Sequence, residues 1–393
     1  MDNHQLLAAA KQFGTPTFVF DEAMLAARMR EIKAIVGKNV HLCYSIKANP
    51  FLLPAMAHLT EKLEVCSPGE MQICMDTKAD PASILVSGVN KTLPDILAAL
   101  DYGVRDFTAE SPLHVKLLEE AASRRGVTLC VLLRLTAGTQ FGMDESDLRD
   151  AIASRAQYAA LVFEGIHYFA GTQRKKLTEQ CREIEALTAL CDSLRADYGF
   201  EVKKLEYGPG LYYPYFAHED SSDTLAPLRE LAPQLRALGE RFHLTVEMGR
   251  FFVSECGYYL TAVADVKTNK GSRYAIVDGG MHHVNYIGSN MGMRVPHIVH
   301  FPVDGREPGD TQDVMLCGSL CTTADVLVRK APLPPLAVGD VLAFTRIGAY
   351  SVTEGPALFL SRDMPRIVLH SECGAALVRD TIHTSALNQN QFR

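Results

Sequence analysis

Eight short strand-like runs alternate with helix-like segments between residues 22 and 248 of this 393-residue chain. Before the first run, Leu25, Met29, Ile32 and Val36 share one helical face. Strands that alternate with crossover helices form parallel sheets, so eight such units predict an α/β fold with a (β/α)8 TIM barrel. The predicted strands are 40–46, 63–66, 84–86, 105–108, 129–135, 165–169, 202–207 and 242–247.

The pattern changes after residue 249. Long β-rich runs replace the alternation, and the sequence at 269–272 is typical of a tight turn. We therefore expect residues 249–393 to form an antiparallel β-sandwich or β-barrel domain, separate from a barrel over 22–248. Residues 1–21 are expected to add a strand to it at 17–20. The β-rich runs are 251–267, 272–280, 331–344 and 364–370.

Charge and cysteine content exclude several classes of protein. The chain has 46 acidic and 39 basic residues, a balance that argues against nucleic acid or an anionic membrane as the main partner. No apolar run approaches the ~18 residues of a membrane span, and the first residues do not resemble a signal peptide. The ten cysteines contain no CxxC pair, which favours a cytoplasmic location. Cys317-x3-Cys321 lacks a histidine at zinc-finger spacing, so no metal site is predicted.

Reactive and glycine-rich segments follow the predicted strands. Lys47 follows the first strand, Gly208 and Gly210 follow the seventh, and Glu247, Gly249 and Arg250 end the eighth. Active sites of such barrels lie at these strand ends, and phosphate often binds after strands seven and eight. A single lysine is more often a solvated surface residue, and Gly-x-Gly is more often a turn. Together, an amine, a phosphate cradle and a carboxylate match pyridoxal 5′-phosphate. Partial desolvation is expected to lower the pKa of Lys47 and leave a neutral amine.

Four motifs in order resemble those of the fold-type III pyridoxal-phosphate decarboxylases, which include diaminopimelate, ornithine and arginine decarboxylases. YSIKAN resembles Tyr-x-x-Lys-Ala-Asn, VEMGR stands in place of Glu-Pro-Gly-Arg, CGSLCTTADVL resembles Cys-Glu-Ser-x-Asp, and GAYS resembles Gly-Ala-Tyr. The resemblance implies an alanine racemase-like fold, with Lys47 as the Schiff-base lysine, Glu247 at the pyridine nitrogen and Cys321 as a catalytic residue. It also implies a phosphate site formed by Thr172, Gly208, Gly210, Gly249, Arg250 and Tyr350.

The family resemblance further implies a head-to-tail homodimer in which Cys321 of one subunit serves the barrel of the other. The chain departs from the family at Phe169, where a histidine usually stacks on the cofactor ring. Phenylalanine can stack there, but it has no proton to donate. His167 either takes part of that role as a catalytic residue or is a buried structural histidine.

A second departure concerns the substrate. Thr322 replaces the acid that engages the distal amino group in diaminopimelate decarboxylase. Arg294, His282 and His283 are candidate contacts for an anionic substrate group, although adjacent histidines are more often surface residues. This pattern is similar to that of decarboxylases in specialised metabolism. Such enzymes act on amino acids conjugated to citrate in siderophore pathways or bound to a carrier.

Other functions remain open at this stage. One is the ordinary diaminopimelate decarboxylase of lysine biosynthesis. A pyridoxal-phosphate racemase would share the barrel and Lys-Ala-Asn, but here Asn49 is followed by Pro50-Phe51 and not Ala-Tyr-Gly. Small pyridoxal-phosphate homeostasis proteins, which bind the cofactor without being enzymes, lack the β domain that is expected in this chain. A regulatory homologue without activity is disfavoured because Lys47, Glu247 and Cys321 are all present.

Overall fold

The computed structural model describes residues 1–286, 292–307 and 309–390. These residues form two compact units. The β unit contains Met1–Ala27, Pro214–Ser222 and Val253–Arg393, and the barrel unit contains Arg28–Tyr213 and Asp223–Phe252.

The chain starts with helix α1 (Asn3–Phe13), strand β1 (Thr17–Asp21) and helix α2 (Glu22–Val36). The predicted apolar face of α2 is fully buried at Leu25, Met29, Ile32 and Val36. Eight parallel strands then close into the predicted barrel, so the fold-class prediction is confirmed. The strands are β2 (Val40–Ser45), β3 (Lys62–Val65), β4 (Ile84–Val86), β5 (Asp106–Ala109), β6 (Leu129–Leu135), β7 (Leu161–Phe169), β8 (Lys204–Gly208) and β9 (His243–Met248).

Helices follow the barrel strands because the sequence supplies start and stop signals. The side chains of Ser67, Thr92 and Ser111 accept hydrogen bonds from backbone N–H groups in the first turns of three of them. Gly103 and Gly126 adopt left-handed conformations that end two of them. These helices are α3 (Leu53–Leu59), α4 (Pro68–Asp76), α5 (Leu93–Tyr102), α6 (Pro112–Arg125), α7 (Glu145–Ala153), α8 (Leu177–Tyr198), α9 (Ala226–Arg241) and α10 (Arg250–Val253).

The barrel register aligns polar residues on neighbouring strands. His167 on β7 pairs with Glu206 on β8, and Cys43 on β2 pairs with Glu247 on β9. Ser45 and Glu64 are also register partners, on β2 and β3. Because inward-facing residues of a barrel form layers, these pairings bring polar side chains from several strands together inside it.

The β unit contains nine strands in one sheet, with the order β14-β13-β11-β10-β1-β16-β17 and with β15 bridging β10 and β12. The predicted N-terminal strand is present, since β1 pairs with both β10 and β16. The elements after the barrel are β10 (Gly257–Asn269), β11 (Ser272–Val277), β12 (Ile298–Phe301), β13 (Gln312–Cys317), β14 (Val326–Leu333), β15 (Val341–Thr345), α11 (Ser351–Glu354), β16 (Arg366–Ser371) and β17 (Gly374–Arg379).

The structure corrects two details of the predicted β domain. Residues 251–256 are helical, because α10 and a 3-10 helix precede β10. The sheet is mostly antiparallel, but β1–β16 and β11–β13 pair in parallel. The predicted turn is a hairpin, in which Lys270 (φ +48°) and Gly271 (φ +82°) join Asn269 to its partner Ser272.

The core of the β unit packs α1 against the sheet, with Leu6, Val19, Leu260 and Val368 buried together. None of the described helices is long and apolar enough to cross a membrane.

Candidate active site

Lys47 lies in a short 3-10 helix directly after β2. Its Nζ is 2.5 Å from Glu64 Oε2 and 3.8 Å from Glu247 Oε1, while its side chain remains 39% exposed. Desolvation alone would lower the pKa of this amine, but the negative charges of Glu64 and Glu247 outweigh it and raise the pKa well above its usual value. The predicted lowering is therefore wrong. The two carboxylates hold Lys47 as an ammonium that is still reachable from solvent.

Glu247 lies at the end of β9 and is almost fully buried. Its Oε2 is 2.8 Å from His167 Nε2, and its Oε1 accepts a 3.1 Å hydrogen bond from Ser45. Burial alone would raise the pKa of Glu247, but the hydrogen bond from His167 and the charge of Lys47 hold it well below its usual range. Because a carboxylate only accepts, we assign the His167 proton to Nε2. His167, which is fully buried, thus orients an ionised Glu247.

The glycines after β8 and β9 leave no room for side chains. A Cβ at Gly208 would lie 2.4 Å from Phe169 Cδ2, and one at Gly210 would lie 1.8 Å from Gly171 O. Gly210 also has φ +60°, a conformation that favours glycine. A Cβ at Gly249 would lie 2.8 Å from the Cβ of Ala48. Glycine at these three positions therefore lets the strand ends pack closely against Phe169, Gly171 and Ala48.

Phe169 ends β7 half-buried, with its ring against Gly208. The exposed Thr172 follows in the next loop. Gln173 anchors that loop, because its side chain accepts from Tyr213 N at 2.8 Å and donates to Tyr213 O at 2.9 Å. Arg250 begins α10 immediately after Gly249. The barrel unit thus brings together Lys47, His167, Phe169, Gly208, Gly210, Glu247 and Gly249, with Thr172 and Arg250 on the adjoining segments.

In the β unit, Cys321 and Thr322 lie on an ordered loop between β13 and β14. Cys321 is exposed and Thr322 is half-buried. Asp325 fixes this loop, since its two carboxylate oxygens accept from Met281 N at 2.7 Å and Leu320 N at 2.8 Å. Sequence reasoning missed this anchoring role of Asp325. The acid in the Cys-Glu-Ser-x-Asp pattern was the available signal.

Tyr350 is half-buried at the start of α11, with φ +66°. Its carbonyl accepts from Thr353 N at 2.8 Å and Glu354 N at 2.9 Å. A tyrosine in the left-handed region costs of order 1 kcal/mol and is held only by its surroundings. Such strain is common at binding sites.

His282 and His283, the candidate substrate contacts, are buried, unlike most pairs of adjacent histidines. Their rings lie 3.8 Å apart, and His283 Nδ1 is 2.8 Å from the Tyr259 hydroxyl. Burial lowers the pKa of His282 to about 4 and that of His283 to about 3, so both are neutral at pH 7. Neither offers a positive charge to a substrate anion. Arg294 is partly exposed, 4.0 Å from Glu219 and above the Phe216 ring.

Several buried ionisable residues in the barrel escaped sequence reasoning. Glu64 and Glu206 lie inside it, and Arg134 pairs with Glu110 at 3.0 Å with both side chains nearly inaccessible. Each of Glu64, Glu206 and Arg134 interrupts an apolar strand run, and a charge in a buried strand was the signal available in the sequence.

These barrel residues fit pyridoxal phosphate by their chemistry. Lys47 offers an accessible amine, Glu247 offers a buried carboxylate, and the segments at Gly208, Gly210 and Gly249 offer backbone N–H groups of the kind that bind phosphate. The Phe169 ring offers an apolar face at the end of β7. All of these groups belong to the barrel unit.

Curated relatives cover nearly the whole chain. It is 27% identical over 407 residues to the L-glutamyl-[BtrI acyl-carrier protein] decarboxylase of Niallia circulans, covering 96% of this chain and 94% of that one. It is 30% identical over 366 residues to the diaminopimelate decarboxylase of Pseudomonas aeruginosa, covering 87% and 84%.

Solved structures share the fold. The diaminopimelate decarboxylase of Methanocaldococcus jannaschii, in complex with L-lysine, superposes with a TM-score of 0.86 at 24% identity, covering 99% of this chain and 94% of that one. Residues 22–254 match the family described as pyridoxal-dependent decarboxylase, pyridoxal binding domain. The chain therefore belongs to the pyridoxal-dependent decarboxylases, carboxy-lyases that act on amino acids with pyridoxal 5′-phosphate.

Proposed function

We propose that this decarboxylase acts on an amino acid whose distal group is neutral or anionic, presented as a conjugate on a carrier thioester or as a citryl amide. The observation that carries the proposal is the loop with Thr322. The segment from Cys317 to Leu327 contains one acidic residue, Asp325, and backbone N–H groups occupy both of its carboxylate oxygens. The loop therefore has no free carboxylate for a distal ammonium.

The energetic consequence is large. Burying an ammonium without a partner costs several kcal/mol, and even ~3 kcal/mol is more than a hundredfold in selectivity. Free diaminopimelate, lysine and ornithine should be poor substrates. The name of the Niallia circulans relative, a decarboxylase of carrier-bound glutamate, supports a conjugate with no free distal amine. Arg294 remains the candidate contact for an anionic group, since His282 and His283 are neutral and buried.

Within the barrel, we assign the covalent attachment of the cofactor to Lys47. When bound, pyridoxal phosphate supplies the electron sink for the electron pair that remains when CO2 leaves. Glu64 holds the Lys47 amine at the end of β2, and the exposed side of that amine lets its proton leave to solvent. Glu247, oriented by His167 and Ser45, keeps a proton at the pyridine nitrogen. Phe169 would offer its apolar face to the cofactor ring, but it cannot donate a proton.

We assign phosphate binding to Thr172, Gly208, Gly210, Gly249, Arg250 and Tyr350. We assign the proton donor to the substrate carbon to Cys321, a role that typically contributes 10²–10⁴-fold to rate. Its exposure and the anchoring of its loop by Asp325 support this role. Cys321→Ala should slow turnover by about that factor while leaving cofactor binding intact.

Substrate choice is tested with purified holoenzyme and a matched panel. Free diaminopimelate, lysine, ornithine and glutamate are compared with a citryl amide of diaminopropionate and with glutamate on a carrier protein, and loss of CO2 is followed by mass. We expect a conjugate to be the best substrate. Thr322→Glu should shift preference toward dibasic amino acids, with Thr323→Glu as the control one position away. Efficient turnover of free diaminopimelate by the wild type, at ~10⁴ M⁻¹s⁻¹ or above, would overturn the proposal.

We also propose a cytoplasmic homodimer in which Cys321 of each subunit serves the partner's barrel. The ten unpaired cysteines support a reducing compartment. Mixing the inactive variants Lys47→Ala and Cys321→Ala should restore part of the activity through hybrid sites, once subunits exchange. A monomer at working concentration, or no restored activity despite proven exchange, contradicts shared sites.

A further inference from the structure

Three carboxyl groups share the interior of the barrel. Glu64, Glu206 and Glu247 come from β3, β8 and β9, and each is at most 6% exposed. One side-chain atom from each of His167, Glu206 and Glu247 lies within 4.8 Å of the other two. Two carboxyl groups as close as Glu206 and Glu247, at a place with little access to water, do not both ionise at neutral pH.

The hydrogen bonds distinguish the three acids. Glu64 faces the Lys47 ammonium at 2.5 Å, and Glu247 accepts from His167 and Ser45. Among the described residues, Glu206 has no ammonium, histidine or serine partner of this kind. Its buried Oε1 has no hydrogen-bond partner among them. The Cys43 thiol, which is a weak hydrogen-bond donor, contacts Glu206.

We propose that Glu206 is a positioning residue that stays a neutral carboxylic acid, so that Glu247 keeps the negative charge that the cofactor's pyridine nitrogen requires. A second ionised carboxyl beside Glu247 would repel its charge and compete for the His167 proton. As a neutral acid, Glu206 occupies its place among the inward-facing side chains without repelling the charge of Glu247. The proposal rests on the assignment of Glu247 in the proposed function, but the protonation of Glu206 can be measured without cofactor or substrate.

Burial and the neighbouring carboxyl groups favour the neutral form of Glu206 and outweigh the Cys43 hydrogen bond and the charge of Lys62. Burial raises the pKa of Glu206 well above its usual value, and the charges of Glu247 and Glu64 raise it further. Burial also raises the pKa of the Cys43 thiol, so that group stays neutral and adds no negative charge. Lys62 acts in the opposite direction, from the start of β3. The titratable groups around Glu206 are Cys43, Lys62, Glu64, His167 and Glu247.

A cavity at the amino end of the barrel reaches Glu206. Its lining includes Lys62, Asp106, Glu164 and Lys204, with Glu206 among the wall residues. Water in this cavity would let the Glu206 proton exchange with solvent without global unfolding. Deuterium exchange at Glu206 should therefore be fast compared with unfolding.

The test uses infrared difference spectroscopy on the full-length apoprotein at pH 7. Wild type should show the carbonyl band of a protonated carboxyl group, and this band should move in D2O without denaturant. Glu206→Gln, a near-isosteric neutral variant, should lose the band. Glu164→Gln, an acid in the same cavity, should retain it. No band in wild type, a band that persists in Glu206→Gln, or exchange only through unfolding overturns the proposal.

Stability against pH gives a second measurement. The folded state keeps Glu206 protonated while the unfolded chain ionises above its pKa of ~4.3, so burial of Glu206 destabilises the fold increasingly as pH rises. Glu206→Gln removes this loss, and its Tm relative to wild type should rise by a few °C between pH 5 and 8. A Tm difference that does not change with pH would contradict a neutral Glu206. If Glu206→Gln does not fold, the wild-type band and its pH titration decide.

Cofactor affinity separates positioning from simple space filling. Glu206→Gln, which lacks the ionisable group but keeps its shape, should bind pyridoxal phosphate at pH 7 about as well as wild type. At alkaline pH wild type should lose affinity as Glu206 ionises, and Glu206→Gln should not. Equal pH profiles would overturn the proposal even if the substrate assignment is correct.

Discussion

Two polar clusters in the same barrel contain similar side chains but differ in charge balance and in access to water. The amino-end cluster, Lys62, Asp106, Glu164 and Lys204, has two bases for two acids, and each acid contacts a lysine. The interior cluster, Lys47, Glu64, His167, Glu206 and Glu247, has three carboxyl groups for one lysine and one histidine. The acids of the first are 19–21% exposed, whereas those of the second are 2–6% exposed.

Charge balance and access to water account for the difference. The amino-end pairs neutralise each other and stay partly hydrated, so they contribute modestly to stability. The interior carboxyl groups outnumber the bases beside them and are nearly inaccessible, so the pKa of Glu206 is raised while that of Glu247 is lowered. Barrel enzymes place their chemistry at the carboxyl end of the strands, and polar residues at the other end serve the fold.

Replacing one lysine from each cluster should give the largest contrast. Lys47→Ala should reduce kcat by ~10³-fold or more, because the covalent link to the cofactor is lost. Lys204→Ala should retain activity within about twofold, since an exposed pair contributes little. Steady-state kinetics and borohydride trapping measure both. The comparison fails if Lys204→Ala is as inactive as Lys47→Ala, or if the trapped pyridoxyl group lies on another lysine.

Cofactor capture should depend on pH through the Lys47–Glu64 pair. Only the neutral amine bonds to an aldehyde, and the raised pKa of Lys47 means that the neutral fraction grows as pH increases. Capture by apoprotein should therefore accelerate from pH 6 to 9. Glu64→Gln removes the main source of the rise and should speed capture about tenfold or more at pH 7, one pKa unit being tenfold. Capture that slows in Glu64→Gln at every pH would mean that Glu64 has another role.

The smallest effect is expected from the thermodynamics of the amino-end cluster. Lys204→Met leaves Glu164 without its lysine and should lower the free energy of unfolding by about 0.5–1 kcal/mol. Because partly hydrated pairs are screened, the loss should shrink in 1 M salt. Denaturant titrations at two salt concentrations measure this. If the free energy of unfolding falls by several kcal/mol and the loss does not depend on salt, the amino-end cluster behaves like the buried interior cluster and the comparison fails.

Sequence reasoning located the strands and the strand-end residues because both follow from local pattern. Lys47, Gly210 and Glu247 come directly after or at the end of apolar runs, and the barrel rule places such positions on one face. Glu64 and Glu206 escaped because their proximity depends on register between strands far apart in sequence. The predicted direction of the Lys47 pKa shift was wrong for the same reason, because the sequence did not indicate that Glu64 lies beside Lys47.

The β unit shows the same limit of local pattern. Its runs were recognised, but the parallel pairs β1–β16 and β11–β13 join segments whose order in the sheet is not encoded in either run. The burial of His282 and His283 depends on contacts such as the Tyr259 hydroxyl, from a different strand. The alternation of apolar and polar residues along the chain carries no information about these contacts with another strand.

The position of β1 has a consequence for biosynthesis. Five consecutive residues, Thr17 to Asp21, are buried between β10 and β16, and both of these neighbours follow the barrel in the sequence. On the ribosome, β1 therefore emerges before the barrel and stays unpaired while the barrel is translated. An open strand edge of this kind invites pairing with other chains, and a product terminated before β16 would keep that edge exposed. Premature termination before β16 should therefore yield aggregates.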